Sequence, residues 1–148
     1  MEVLSWPKPV PGLVIRYSYL WKREAAHGQE EAVKDRPAAV VLTIADESGR
    51  SRVYALPITH SPPLDANDAV EIPPVTKRRF GLDGERSWIM LTEANVFMWP
   101  GPDLRVLPGS DPSSAAYGML PPGVLHEIKR RFLERAQRRQ LRLVPRSD

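Results

Sequence analysis

The chain contains no cysteine. Disulfide staples, thiol nucleophiles and zinc–thiolate centres are therefore excluded. No run of about 18 apolar residues occurs, so no helix is expected to span a membrane. Met1 to Pro11 lacks the basic start and apolar run of a signal peptide, and a cytoplasmic setting is the expectation. A glycine-rich phosphate loop, a cluster of metal-ligating side chains and a serine-triad motif are also missing. Neither a cofactor nor a metal is expected. Internal repeats and low-complexity tracts are absent as well.

Proline is what the chain has in excess, with sixteen in 148 residues, about twice the usual ~5% share. They are scattered, which breaks long helices and confines strands to short runs. Apolar residues at 42% and charged residues at 26% match an ordinary globular protein. The length suits one domain spanning 1–148. The net charge of +3 is unevenly placed: Gly123 to Asp148 holds eight of the 21 Lys and Arg but three of the 18 acids. The basic character lies at the C-terminal end.

Periodicity predicts a series of short strands. Gly12 to Trp21 puts Leu13, Ile15, Tyr17, Tyr19 and Trp21 on one face at period two. After a charged loop, Lys22 to Asp35, Pro37 to Ile44 is almost continuously apolar and reads as a strand buried on both faces. Asp46-Glu47-Ser48-Gly49 turns it into Ser51 to Thr59, as a hairpin. Ser61 to Asp68 reads as a loop. Ala69 to Ile72, Ser87 to Thr92 and Asn95 to Trp99 read as further strands. A turn at Pro100-Gly101-Pro102 leads into a last one, Leu104 to Leu107. This spacing predicts a mainly β fold, a small antiparallel barrel or sandwich over about 11–108. Val124, Leu125, Ile128, Phe132, Leu133 and Ala136 recur at helical spacing and predict an amphipathic helix over about 121–140, followed by a basic tail, 141–148.

The order of these motifs resembles the MazF/PemK family of toxin–antitoxin ribonucleases. The resemblance rests on the Gly-led aromatic strand from Gly12 and on Arg36-Pro37 opening an apolar strand. It rests also on Leu56-Pro57-Ile58-Thr59, Ser87-Trp88-Ile89-Met90-Leu91-Thr92-Glu93, and Gly118-Met119-Leu120 before the final helix. It covers most of Pro11 to Ala136 through short, degenerate motifs. It implies an SH3-like barrel that forms a homodimer, is neutralised by a cognate antitoxin protein, and cuts single-stranded RNA without a metal through attack by the ribose 2′-hydroxyl. Its catalytic arginine and threonine fall on Arg36 and Thr59. Two features depart from the family pattern. His27-Gly28 stands in reversed order, and Ala94-Asn95-Val96 follows Glu93 where many members place a glutamine and an arginine.

Cleavage of this kind builds negative charge on phosphorus, which a guanidinium and a hydroxyl can hold. It also moves a proton, for which His60 and His27 are the neutral-pH candidates. Lys77, Arg78 and Arg79, in an expected loop before Phe80-Gly81, could grip RNA; Arg105 could also supply a cation. Glu93 could read a base or accept a proton, or could simply be a strand-end acid. The competing function is a non-catalytic barrel binding nucleic acid or a protein partner through its basic tail. A DNA-binding regulator has only the basic helix behind it.

Overall fold

A computed structural model describes residues 6–26, 35–110 and 114–146; His27, one of the candidates, lies outside them. The elements run β1 (Leu13–Tyr17), α1 (Lys22–Ala26), β2 (Arg36–Ala45), β3 (Ser51–Thr59), β4 (Ala69–Glu71) and α2 (Pro74–Arg79). Then follow β5 (Trp88–Met90), β6 (Glu93–Met98), β7 (Ala116–Met119), α3 (Pro122–Gln137) and β8 (Arg142–Pro145). A single 3-10 turn, Ala66–Asp68, precedes β4. The protein is mainly β.

The β2–β3 hairpin is the centre of the molecule. Asp46 builds its turn by accepting from the Ser48 backbone and hydroxyl and from the Arg50 backbone at 2.7–2.9 Å. Gly49 supplies the left-handed residue at φ +85°. Along β2, Ala38 and Val40 enter a cluster with Leu13, Ile15, Tyr17, Val53, Ala55 and Phe97. Ala39 and Val41 enter the other cluster, with Val14, Leu56, Ile58, Ile89 and Leu91. Both faces are buried, as a continuous apolar run requires.

Strand β1 is shorter than its pattern. It leaves the sheet after Tyr17, yet Tyr19 and Trp21 stay packed on the same cluster. The Asn95 side chain replaces a strand partner here, accepting from the Leu20 N–H and donating to its carbonyl at 2.9 and 2.7 Å. Lys22 to Ala26, expected as loop, forms the one-turn helix α1 instead.

The strands do not close into a ring. Hydrogen bonding follows β4-β5-β3-β2-β1-β7, and β6 branches from β3 to reach β8. The reason lies in β3. Its first half, Arg52–Ala55, pairs with β6, while Ile58 and Thr59 pair with β5. One strand thus serves two sheets, and among the described residues their outer edges stay unjoined. Leu104 to Leu107 is not a strand, since only Leu104 bridges to Tyr17. Two strands went unforeseen: β7 pairs with β1, and β8, inside the expected basic tail, runs parallel to β6.

Helix α3 buries Ile128 and Phe132 against the sheet, each burial contributing about 1.5–3 kcal/mol. Leu133 and Ala136, expected on that face, are exposed. Arg131 and Arg135 lie on the opposite flank of that face, donating to the Asn67 carbonyl, and Arg135 also pairs with the Asp68 carboxylate at 2.7 Å. Part of the helix's basic face is thus a clamp on the turn before β4.

Gly118 sits at φ +149°, and a Cβ there would stand 2.8 Å from the buried Phe80 ring. Gly118→Ala is expected to cost about 1–3 kcal/mol, since the ring has nowhere to go. Urea denaturation measures it; an unchanged midpoint would mean that the ring yields.

Candidate functional site

Arg36 and Thr59 are brought together by strand register. Ala38 pairs with Pro57 in the antiparallel β2–β3 ladder. That is the last pair at this end of the ladder, and Arg36 and Thr59 each lie two residues beyond it, in step with Ala38 and Val40 on β2 and with Val53 and Ala55 on β3. The face of those residues is apolar in the interior and ends in these two polar side chains. They open into a cavity of about 660 Å³, whose wall also includes Trp21, Arg23, Asp35, His60, Lys77, Asp83 and Tyr117. Three of the four expected catalytic residues, Arg36, Thr59 and His60, therefore line one space.

Arg36 is half-buried, and its Nε has no hydrogen-bond partner. Its guanidinium carbon lies 5.0 Å from the Trp21 ring centre. Burial lowers its pKa, with the nearby Arg23 charge acting in the same direction and Glu24 opposing; the group stays cationic at neutral pH. An unpaired buried guanidinium nitrogen is costly, and an anion in the cavity would relieve it. The Thr59 hydroxyl accepts from the Ser61 N–H at 3.1 Å, which leaves its own proton free to donate.

His60 is oriented by an acid. Its Nε2 stands 2.9 Å from Asp83 Oδ2, and its Nδ1 lies 3.6 Å from Glu85 Oε2. In the neutral ring, Nε2–H donating to Asp83 leaves Nδ1 as the atom that can take a proton. The Lys77 hydrogen bond, the leading cause, and the nearby His60 charge both hold the Asp83 pKa below its usual value. Asp83 is therefore ionised at neutral pH. Tyr117, pushed up by burial, remains a neutral hydroxyl at neutral pH. His60, Asp83 and Glu85 could in principle share a cation, but the Lys77 ammonium already neutralises Asp83 at 2.7 Å.

The expected RNA-binding residues separate. Lys77, Arg78 and Arg79 lie on α2 and not in a loop. Lys77 is buried, donating to Asp83 and to the Glu85 carbonyl, so it builds the cavity wall and cannot reach out as a grip. Arg79 donates to the Met119 carbonyl at 2.5 Å, and Arg78 is exposed; neither lines the cavity. Arg105 donates to the Pro102 and Leu104 carbonyls and faces Asp35 at 3.6 Å, outside the cavity. Glu93 also lies outside it, accepting from the Lys22 N–H and the Tyr19 hydroxyl at 2.8 and 3.2 Å. It is the strand-end acid, holding the start of α1. Trp21, Arg23 and Asp83 were not singled out from sequence. A tryptophan ending an alternating strand and running straight into Lys22-Arg23 was the available signal.

Burial raises the Glu93 pKa, outweighing the Lys22 and Tyr19 hydrogen bonds. Between its unfolded and folded values the folded chain binds more protons, so stability falls as pH rises through that window. Above it the cost of burying the charge is fully present. Glu93→Gln keeps an accepting oxygen without the charge, so its melting temperature should match or exceed the parent's at pH 7. That advantage should vanish below about pH 4. A clear loss at pH 7 in parallel melts would show that the charge itself holds α1.

Comparison of the chain with family models, curated proteins and solved structures finds no match in any of the three.

Proposed function

We propose that the cavity binds single-stranded RNA and cleaves it in the manner of the MazF/PemK toxins, without a metal. The observation that supports this most is the convergence of Arg36, Thr59 and His60 on one cavity, with a buried guanidinium nitrogen unpaired. His60 Nδ1 takes the proton of the ribose 2′-hydroxyl. The 2′-oxygen forms a bond to the adjacent phosphorus, the bond to the 5′-oxygen breaks, that oxygen takes up a proton from water, and the hydroxide so formed takes the proton back from His60. The products are a 2′,3′-cyclic phosphate and a 5′-hydroxyl. Arg36 holds the non-bridging oxygens as charge builds, Thr59 donates to one of them, and Asp83 steadies the imidazolium. A cognate antitoxin and a second copy of the chain are the partners that the same resemblance proposes.

The test is incubation of the purified protein with long single-stranded RNA in excess chelator. Defined fragments are expected. Intact RNA across several sequences would remove the enzyme and leave a non-catalytic β domain that binds nucleic acid or a protein partner, a reading that the lack of an arginine just after Glu93 favours.

A further inference from the structure

A phosphodiester carries one negative charge and its transition state builds toward a second, so a single guanidinium leaves the site under-neutralised. The cavity wall holds three aspartates, each already answered. Asp35 faces Arg16 and Arg105, Asp68 pairs with Arg135, and Asp83 pairs with Lys77. The Lys77 ammonium is thereby consumed. Among the described residues, the wall cations outside any ion pair are Arg36 and Arg23. Within the wall itself the surplus charge is positive and belongs to these two, and Glu24, which is not part of the wall, offsets some of it at Arg36.

They share one support. The Arg23 guanidinium carbon lies 5.3 Å from the Trp21 ring centre and that of Arg36 lies 5.0 Å from it. Each contact is a cation–π interaction, which offsets part of the repulsion between the two charges. The backbone beneath Arg23 is fixed as well. Glu24 Oε1 accepts from the Trp21 N–H at 3.0 Å and Glu93 Oε2 accepts from the Lys22 N–H at 2.8 Å. The first of these is the reciprocal half of a capping box. A helix of one turn is thus pinned by two carboxylates at the point where it presents Arg23 to the cavity.

We propose that Arg23 is a second phosphate-binding guanidinium of this site, held beside Arg36 by the Trp21 indole, so that a phosphodiester is gripped by both. The inference rests on the RNA-cleaving reading of the cavity. It supplies from α1 the cation that the sequence lacks after Glu93.

Two readings on each variant test it. One is cleavage of long single-stranded RNA. The other is binding, across a salt series, of a single-stranded random-sequence oligonucleotide pool bearing 2′-O-methyl groups, which cannot be cut. Arg23→Ala is expected to slow cleavage about 10²-fold. It should also reduce the slope of log K against log salt by about 0.7, the signature of one lost phosphate contact on a single strand. Arg23→Lys should restore the slope but not the rate, because an ammonium keeps the charge and loses the fork. Trp21→Leu should slow cleavage like Arg23→Ala, and Trp21→Phe should recover most of it. An Arg23→Ala protein with wild-type slope and rate, beside an inactive Arg36→Ala, overturns the inference and leaves the proposed function standing. A wild-type protein that neither binds nor cleaves overturns both.

Discussion

Arg36→Ala is expected to lower RNA cleavage by about 10³-fold while leaving the fold intact. The magnitude follows from removing a fixed cationic donor that meets the charge developing on phosphorus. Arg36→Lys should recover only part of the rate, because an ammonium cannot bridge two oxygens side by side. Thr59→Val should lose about 10²-fold, and Thr59→Ser should stay close to the parent. The stability effect of losing Arg36 runs the other way. Its Nε is buried without a partner, and a second guanidinium stands nearby. Arg36→Met is therefore expected to melt at the same or a higher temperature. Activity lost and stability kept is the pattern of a residue placed for function. A variant that loses both would make Arg36 a structural residue.

The largest expected loss of stability comes from the far end of the chain. Arg146 follows β8 and its side chain is only 4% exposed, against 15% for its partner Asp103 at 3.0 Å. It also donates to the Ser18 carbonyl at 2.6 Å and to Asn95 Oδ1 at 3.2 Å. One guanidinium thus joins the C-terminus, the end of β1 and the loop after β6. Arg146→Ala leaves Asp103 largely buried without its partner and is expected to cost about 3 kcal/mol, near the low end for such a removal. In a chain of this size that is a drop of roughly 6–12 °C in melting temperature. A shift under about 2 °C in a thermal melt would show that the tail is dispensable. RNA cleavage at a temperature well below the transition should persist, because Arg146 lies outside the cavity wall.

The contrast between these two arginines shows what the sequence could convey. Local periodicity carried the elements whose burial is regular. The continuous run in β2 meant two buried faces, Asp46 and Gly49 meant a tight turn, and Ile128 and Phe132 marked the inner side of α3. It failed where distant contacts decide. Arg142 to Pro145 has too little apolar character to announce a strand, and only the parallel edge of β6 makes it one. Lys77 looked like surface beside Arg78 and Arg79, and it is buried because Asp83 and the Glu85 carbonyl satisfy its ammonium. Leu133 and Ala136 were grouped with the inner side of α3 by spacing, but the helix turns them past Phe132 and away from the sheet, on the flank opposite Arg131 and Arg135. Of the residues that line the cavity, Arg36 and Thr59 were singled out through the family resemblance, and His60 as a neutral-pH proton carrier next to Thr59. Trp21 and Arg23 were not, because β1 ends early at Tyr17 and α1 begins where only a charged loop was expected, and Asp83 was not, because only its contacts with Lys77 and His60 bring it to the cavity.

The most direct test of the proposed chemistry uses an RNA that the wild-type protein cuts at a defined position, remade with a single 2′-deoxy nucleotide on the 5′ side of the scissile phosphate. The account predicts that the all-ribose strand yields a 2′,3′-cyclic phosphate and a 5′-hydroxyl, and that the substituted strand stays whole at that position. Cleavage at the deoxy position, or ends bearing a 3′-hydroxyl and a 5′-phosphate, would contradict it: the attacking oxygen would then come from water and not from the ribose.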